Sequence, residues 1–232
     1  QITTRDVIAF GYRKRQLEIF DRLLNDANYF DKVMREKNIK REAVWQKFFE
    51  TNPWIFGYGL GYIFLSNLNE QKLEQVVQGY SLNQHGKRID AVMKTKGIIS
   101  NLCFVEIKTN VTKLLEDRPY RPGCYAPSKD LSGAVAQVQG SVADATKSLA
   151  NKISIFDALG NQTGETIYNY QAKSFLVIGS LDEFLGEFGI NEDKLRSFEL
   201  FRKNIISPEI ITFDELYERA KFIVEFNESS HN

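Results

Sequence analysis

The run Phe175-Leu176-Val177-Ile178-Gly179 has no polar face. Strand side chains alternate between the two sides of a sheet, so a run that is apolar at every position suits a central strand covered on both faces. The rest of the chain supplies that cover. Residues 4–37 read as helix, with Leu17, Phe20, Leu24 and Phe30 at spacings near three and four among many charges. We take residues 1–40 as a helical arm. A second helix is expected from Arg41 to Glu50, with Val44, Trp45, Phe48 and Phe49 on one face and Glu42, Gln46 and Glu50 on the other. Asn52-Pro53 stops it, because the residue before proline is pushed out of the helical region. Lys87–Lys94 alternates as a strand, Gly97 marks a turn, and Leu102–Thr109 is the next strand, so the two read as an antiparallel hairpin. A helix from Leu131 to about Phe156, capped by Ser128 or Ser132, follows a loop rich in proline and glycine. Helices near 181–188 and 192–203, a strand over Pro208–Thr212 and a helix over Asp214–Glu225 complete the pattern. The expected fold is an α/β domain over 41–226, a mixed central sheet flanked by helices, with a tail at 227–232.

Composition narrows the function classes. Thirty Lys/Arg balance thirty Asp/Glu, and 43% of residues are hydrophobic, which excludes a disordered chain, a collagen-like chain and a general polycation. The longest mostly apolar stretch, Trp54 to Leu65, is broken by glycines and falls short of the ~20 residues of a spanning helix. Gly57, Gly59 and Gly61 lack the third glycine of a dinucleotide fingerprint and read as close backbone packing. Two cysteines, Cys103 and Cys124, make no disulfide framework and fit a reducing cytoplasm. A chain opening on Gln1 reads as a piece of a longer protein. From His85 to Lys129, nine Lys/Arg stand against four Asp/Glu, a local excess that global neutrality hides.

The chemistry concentrates in that window. Glu106 and Lys108 are two apart in a strand, so they share a face roughly 7 Å apart along it, while Val105 and Ile107 take the other. If the preceding strand pairs as a hairpin, Asp90 sits beside Glu106. Two close carboxylates repel unless a cation joins them. Magnesium (or manganese) resolves this with hard oxygen ligands, and the Ile107 carbonyl can add one. The ion would polarise a phosphoryl oxygen, with Lys108 orienting the water and offsetting charge in the transition state. A surface cross-strand pair is the plain alternative for Glu106 and Lys108. Around them, Lys113, Arg118, Arg121 and Lys129 in the long loop, with Tyr120 and Tyr125, suit phosphate contacts, or else a solvated loop. Arg88, on the Asp90 face of its strand, and His85 just before it, join the candidate DNA contacts; surface placement is the alternative for His85.

These residues resemble the PD-(D/E)XK nuclease superfamily and, within it, the nuclease domain of Shedu antiphage defence proteins. The matching features are Phe49-Glu50-x-Asn52-Pro53-Trp54, Lys87-Arg88-Ile89-Asp90, Val105-Glu106-Ile107-Lys108-Thr109, Tyr120, Tyr125, Pro127-Ser128, Leu131-Ser132-Gly133-Ala134-Val135, Gln137, Ile178-Gly179 and Thr212-Phe213-Asp214-Glu215-Leu216. The resemblance implies a restriction-endonuclease-like core and a magnesium-dependent DNA endonuclease acting as a defence effector. It also implies self-assembly, as a tetramer. It puts Asp90, Glu106 and the Ile107 carbonyl on the metal, with Lys108 assisting the water. Glu50 matches an acid that reaches the metal from the first core helix; a solvated helix face is its alternative. Gln137 matches a helical glutamine that contacts Lys108 or DNA. Two family positions differ here: Ser141 stands where a tyrosine is frequent, and Ile89 replaces the proline before Asp90. Other readings of the same fold are restriction or junction cleavage, a catalytically silent DNA-binding module, and a structural regulator unrelated to DNA.

Overall fold

A computed structural model describes residues 4–56, 61–64, 91–96, 100–148, 151–156 and 161–229. Its element order is α1 (Thr4–Asn25), α2 (Ala27–Lys37), α3 (Arg41–Thr51), a 3-10 turn (Pro53–Ile55), β1 (Gly61–Phe64), β2 (Ala91–Lys96) and β3 (Ser100–Ile107). After these come α4 (Lys129–Ser148), β4 (Lys152–Phe156), β5 (Gln162–Val177), a 3-10 turn (Leu181–Phe184), β6 (Leu185–Gly186), β7 (Gly189–Ile190), α5 (Glu192–Lys203), β8 (Glu209–Ile211) and α6 (Phe213–Ser229).

Among the described residues, six strands form one mixed sheet in the order β1-β2-β3-β5-β4, with β8 also pairing with β5. The β2–β3 pair is antiparallel, as the hairpin pattern predicts, and β1, which the pattern does not mark as a strand, adds antiparallel to β2. β5 runs parallel to both β3 and β8 and antiparallel to β4. The apolar run at 175–178 lies at the centre, and Phe175, Leu176, Val177 and Ile178 are all buried.

Alternation along β3 and β5 sends side chains into two separate cores. Cys103, Val105, Ile107, Phe175 and Val177 pack with Trp45 and Phe49 of α3, Phe20 of α1 and Leu216 of α6. Leu176 and Ile178 pack on the opposite face with Leu131, Ala134 and Val135 of α4 and Phe198 of α5. Thus β3 and β5 carry helices on both sides, the condition under which parallel strands are stable.

Four expectations need correction. The helix expected over 4–37 breaks at Asp26, whose side chain accepts the Tyr29 N–H and caps α2. These two helices do not hang off the domain as an arm: Phe20, Leu23 and Phe30 are buried, and Phe20 meets Trp45, Phe48, Phe49 and Tyr217 at ring-centroid distances of 5.2–5.6 Å. The helix expected to reach Phe156 ends at Ser148, because Lys152–Phe156 pairs with β5 as a strand. The helix expected over 181–188 is a 3-10 turn followed by the small β6–β7 hairpin, where Gly186 and Gly189 pair.

Candidate active site

The antiparallel register of β2 and β3 runs from Lys94↔Leu102 to Ala91↔Val105, and so leads toward Glu106 at the end of β3. Glu106 pairs in register with Leu176 of β5, which puts its side chain in the layer of α4. It is 3% exposed. Burying a carboxylate without a partner is costly. Lys108 supplies the partner: its Nζ donates to Glu106 Oε1 at 2.7 Å and to Gln137 Oε1 at 3.3 Å. The Lys108 backbone N–H bonds the Val177 carbonyl at 2.9 Å, so the lysine is fixed at the carboxyl ends of the parallel strands β3 and β5. Open α/β sheets bind ligands at such ends.

The local sequence explains this placement. Val105 and Ile107 anchor one face of β3, which forces Glu106 and its neighbour Lys108 onto the other. Ala134, Val135 and Val138 bury one side of α4, and Gln137, on the turn between them, reaches Lys108 from above the sheet. Glu106 and Lys108, paired by their spacing, and Gln137, taken from the resemblance, therefore meet at hydrogen-bonding distance.

The loop between Lys108 and α4 is held at several points. Ser128 Oγ donates to the Lys113 carbonyl at 2.7 Å and accepts the Leu131 N–H at 2.9 Å, so Ser128 rather than Ser132 caps α4. Glu183 accepts the N–H groups of Leu114 and Leu115 at 2.6 and 3.1 Å. Trp45 Nε1 donates to Asn110 Oδ1 at 3.3 Å, joining α3 to the residues just past Lys108. Sequence reasoning missed Glu183 and Asn110, because neither partner is near in the chain and no motif marks them.

The other candidates are dispersed. Asp90, Arg88 and His85 lie outside the described residues. Glu50 is half-buried at the end of α3; burial pushes its carboxyl above the usual range, and Lys47 partly offsets this. The buried side of α3 faces the layer opposite Gln137. Lys113 is exposed and paired with Asp117, whose hydrogen bond raises the lysine pKa and lowers that of the aspartate. Arg121 lies over the Tyr120 ring at 5.7 Å; Arg118 is exposed on the same loop, and Lys129 is exposed at the first residue of α4. Burial pushes the Cys103 thiol up to about 12, so it stays protonated at neutral pH and is no nucleophile.

The donors here are hard oxygens: the Glu106 carboxylate and the Ile107 carbonyl. Among the described residues no three His, Cys, Asp or Glu side chains gather at one point. Magnesium takes one or two carboxylates and keeps several waters, so this donor chemistry fits it. Among the described residues no helix is long and apolar enough to cross a membrane.

Comparison with known proteins identifies a family. The family model described as Shedu protein SduA, C-terminal, matches residues 40–217. A curated relative, "Shedu protein SduA" of Bacillus cereus (strain B4264), is 30% identical over 189 residues, which is 81% of this chain and 46% of the relative. The chain thus spans about half the length of that protein. The match takes in β3, Lys108, α4 and its Gln137, and it stops in α6. The chain belongs to the Shedu family, as a relative of the C-terminal region of SduA.

Proposed function

We propose that the chain is a magnesium-dependent DNA endonuclease of the PD-(D/E)XK type, serving as an effector of antiphage defence. The observation that carries this reading is the convergence of Glu106, Lys108 and Gln137 at 2.7 and 3.3 Å, at the end of a buried parallel strand. A buried carboxylate held by a lysine is expensive to maintain and gives a small return in stability. Its presence among the buried residues Leu102, Cys103, Phe104, Val105 and Ile107 of the same strand supports a chemical role.

In this reading Asp90, Glu106 and the Ile107 carbonyl hold the ion, with Glu50 a further candidate ligand from α3. Ala91 pairs with Val105; Asp90 and Glu106 are the neighbouring residues of the chain, which supports their joint use. The ion, when bound, would polarise the scissile phosphoryl group and lower the pKa of a water. Lys108 carries three donors, so while it holds Glu106 it can also orient the attacking water in line with phosphorus and meet the charge that grows on the phosphoryl oxygens. Gln137 fixes the lysine from α4. His85, Arg88, Lys113, Arg118, Arg121 and Lys129 would meet the flanking phosphates, and such contacts position a duplex without reading its sequence. Self-assembly, as a tetramer, is part of the same proposal. Phe188 and Ile206, 97% and 98% exposed, are apolar surface that assembly would cover.

Incubating the chain with supercoiled plasmid and magnesium tests this reading. Glu106→Gln keeps the shape of the side chain and one oxygen to accept from Lys108 while removing its charge. It should lower the nicking rate by about a hundredfold or more, as should Lys108→Ala. Equal nicking by the parent and both folded variants would refute the assignment. Cells carrying the natural full-length protein should lose phage resistance with the same substitutions.

A further inference from the structure

The sheet has an aromatic surface that the proposed active site does not use. Tyr168 and Tyr170 of β5 lie with their rings 6.1 Å apart and 18° from parallel, and Tyr170 is 63% exposed. Their position follows from an irregularity in the β3–β5 ladder. Asn101 pairs with Tyr168 and Cys103 with Lys173, so two steps along β3 correspond to five along β5. Bulges of this kind redirect side chains and are concentrated near functional sites.

The register defines what surrounds the rings. Tyr168 stands between Lys152 of β4 and Asn101 of β3, and directly opposed residues share a face. Thr166 and Ser154 form the next pair on that side. Lys173, opposite Cys103, borders the patch and pairs with Glu209 at 2.9 Å; Glu209 also pairs with Arg219 at 3.5 Å. Three cations therefore meet one carboxylate among these described residues. The local charge is positive around one exposed and one half-buried ring, while the chain as a whole has a net charge of zero.

We propose that this face binds single-stranded DNA, with a base stacked on the exposed Tyr170 ring, which Tyr168 backs at 6.1 Å, and the adjoining phosphates against Lys152 and Lys173. Stacking on aromatic rings beside a basic track is how strands are held without regard to sequence. The positive charge selects an anionic partner over a basic or purely apolar one, and the exposed aromatic ring selects one that carries bases over an acidic protein. The surface lies on the sheet face opposite Glu106, and Asn101 is five residues before Glu106, roughly 17 Å along β3. It would hold a strand beyond the cut rather than the scissile bond. The proposal rests on the reading of the chain as a DNA enzyme, and the experiment separates the two.

Binding of a fluorescein-labelled oligo-dT of about 15 nucleotides, a length within the span of known strand-binding domains, is measured by anisotropy in EDTA. The parent should bind, Tyr170→Ala should bind about tenfold more weakly, and Tyr170→Phe should bind like the parent. Lys152→Ala should reduce the salt dependence of affinity by about 0.7 in log–log slope. Thermal melts of each variant check the fold, and Tyr168→Ala serves as a second probe. An oligonucleotide that does not bind the parent, or binds Tyr170→Ala equally well, overturns the proposal. Plasmid nicking in magnesium is read in parallel. Nicking without tyrosine-dependent strand binding removes this surface and leaves the nuclease; strand binding that needs Tyr170, without nicking, does the reverse.

Discussion

Arg202 and Glu215 show how much one ion pair can organise. Arg202 donates two hydrogen bonds, 2.6 and 2.7 Å long, to the two carboxylate oxygens of Glu215. Glu215 also accepts the Thr212 N–H at 3.1 Å and hydroxyl at 3.0 Å, which caps the start of α6. Burial alone would raise the Glu215 pKa, but the bonds from Arg202 and Thr212 outweigh it and hold the carboxyl below its usual range. A folded value below the unfolded value of about 4.3 means that the pair stabilises the fold above that pH and stops doing so as the pH falls through the folded value. Glu215→Gln should therefore cost about 1–3 kcal/mol at pH 7, read by urea denaturation, with the gap to the parent narrowing below about pH 4. A gap that stays constant from pH 7 to pH 3 would show that the charge contributes nothing. At this scale the sequence is legible only where partners are close. Glu106-x-Lys108 reads as a pair on one strand face. Arg202 gives no hint of Glu215, 13 residues on, and Glu183 none of Leu114, 69 residues back.

Elements are held in place by close approaches that tolerate little change. Gly179 follows β5 with φ +64°, a conformation that side chains disfavour. Its N–H donates to the Thr109 carbonyl at 2.9 Å, tying the end of β5 to the residue after Lys108. A Cβ there would stand 2.6 Å from Leu114 Cδ2 and 2.7 Å from the Thr112 carbonyl oxygen. Gly164 has a similar φ of +79°, but a Cβ would meet nothing within 4 Å. Gly179→Ala should thus cost about 2 kcal/mol or more, from strain and overpacking together, and Gly164→Ala about 1 kcal/mol, from strain alone. Denaturant midpoints of the two variants read the difference directly, and equal losses would show that the Leu114 contact yields freely. Whether an element was legible depended on whether its pattern was local. The alternation of β3, the apolar run in β5 and the stripes of α3 and α5 all lie within one element. The end of α4 did not show, since Lys152–Phe156 becomes a strand only by pairing with Gln162–Tyr168. Most of β5 was missed for a similar reason. Tyr168 and Tyr170 are polar-tipped and partly exposed, so the strand loses its apolar signature before Phe175.

For the whole molecule, the decisive feature is that the N-terminal helices share the main core. Their many charges made them look detachable, since a helix with few apolar positions buries little surface. The few it has are aromatic and central. Phe20 is fully buried among Trp45, Phe48, Phe49 and Tyr217, so one ring of α1 touches both α3 and α6. Phe30 of α2 packs on the other side of Trp45 at 5.6 Å. Trp45 in turn reaches Asn110, two residues past Lys108, so these helices support the candidate active site from the far face of the sheet. Removing the Phe20 ring leaves a cavity in a layer that cannot close without moving α3, and such truncations cost about 3–5 kcal/mol. Against a total stability of about 5–15 kcal/mol, that is a large fraction. Phe20→Ala should lower the melting temperature by about 10 °C in a chain of this size. Arg15→Ala, at an exposed position of α1, should shift it by less than about 2 °C, because surface substitutions typically change stability by no more than ~0.5 kcal/mol. Deleting residues 1–37 should leave a species that binds a hydrophobic dye, since Trp45, Phe49 and Tyr217 would lose their cover. If the shortened chain instead melts cooperatively near the parent temperature, α1 and α2 are a separable appendage and the core is complete without them.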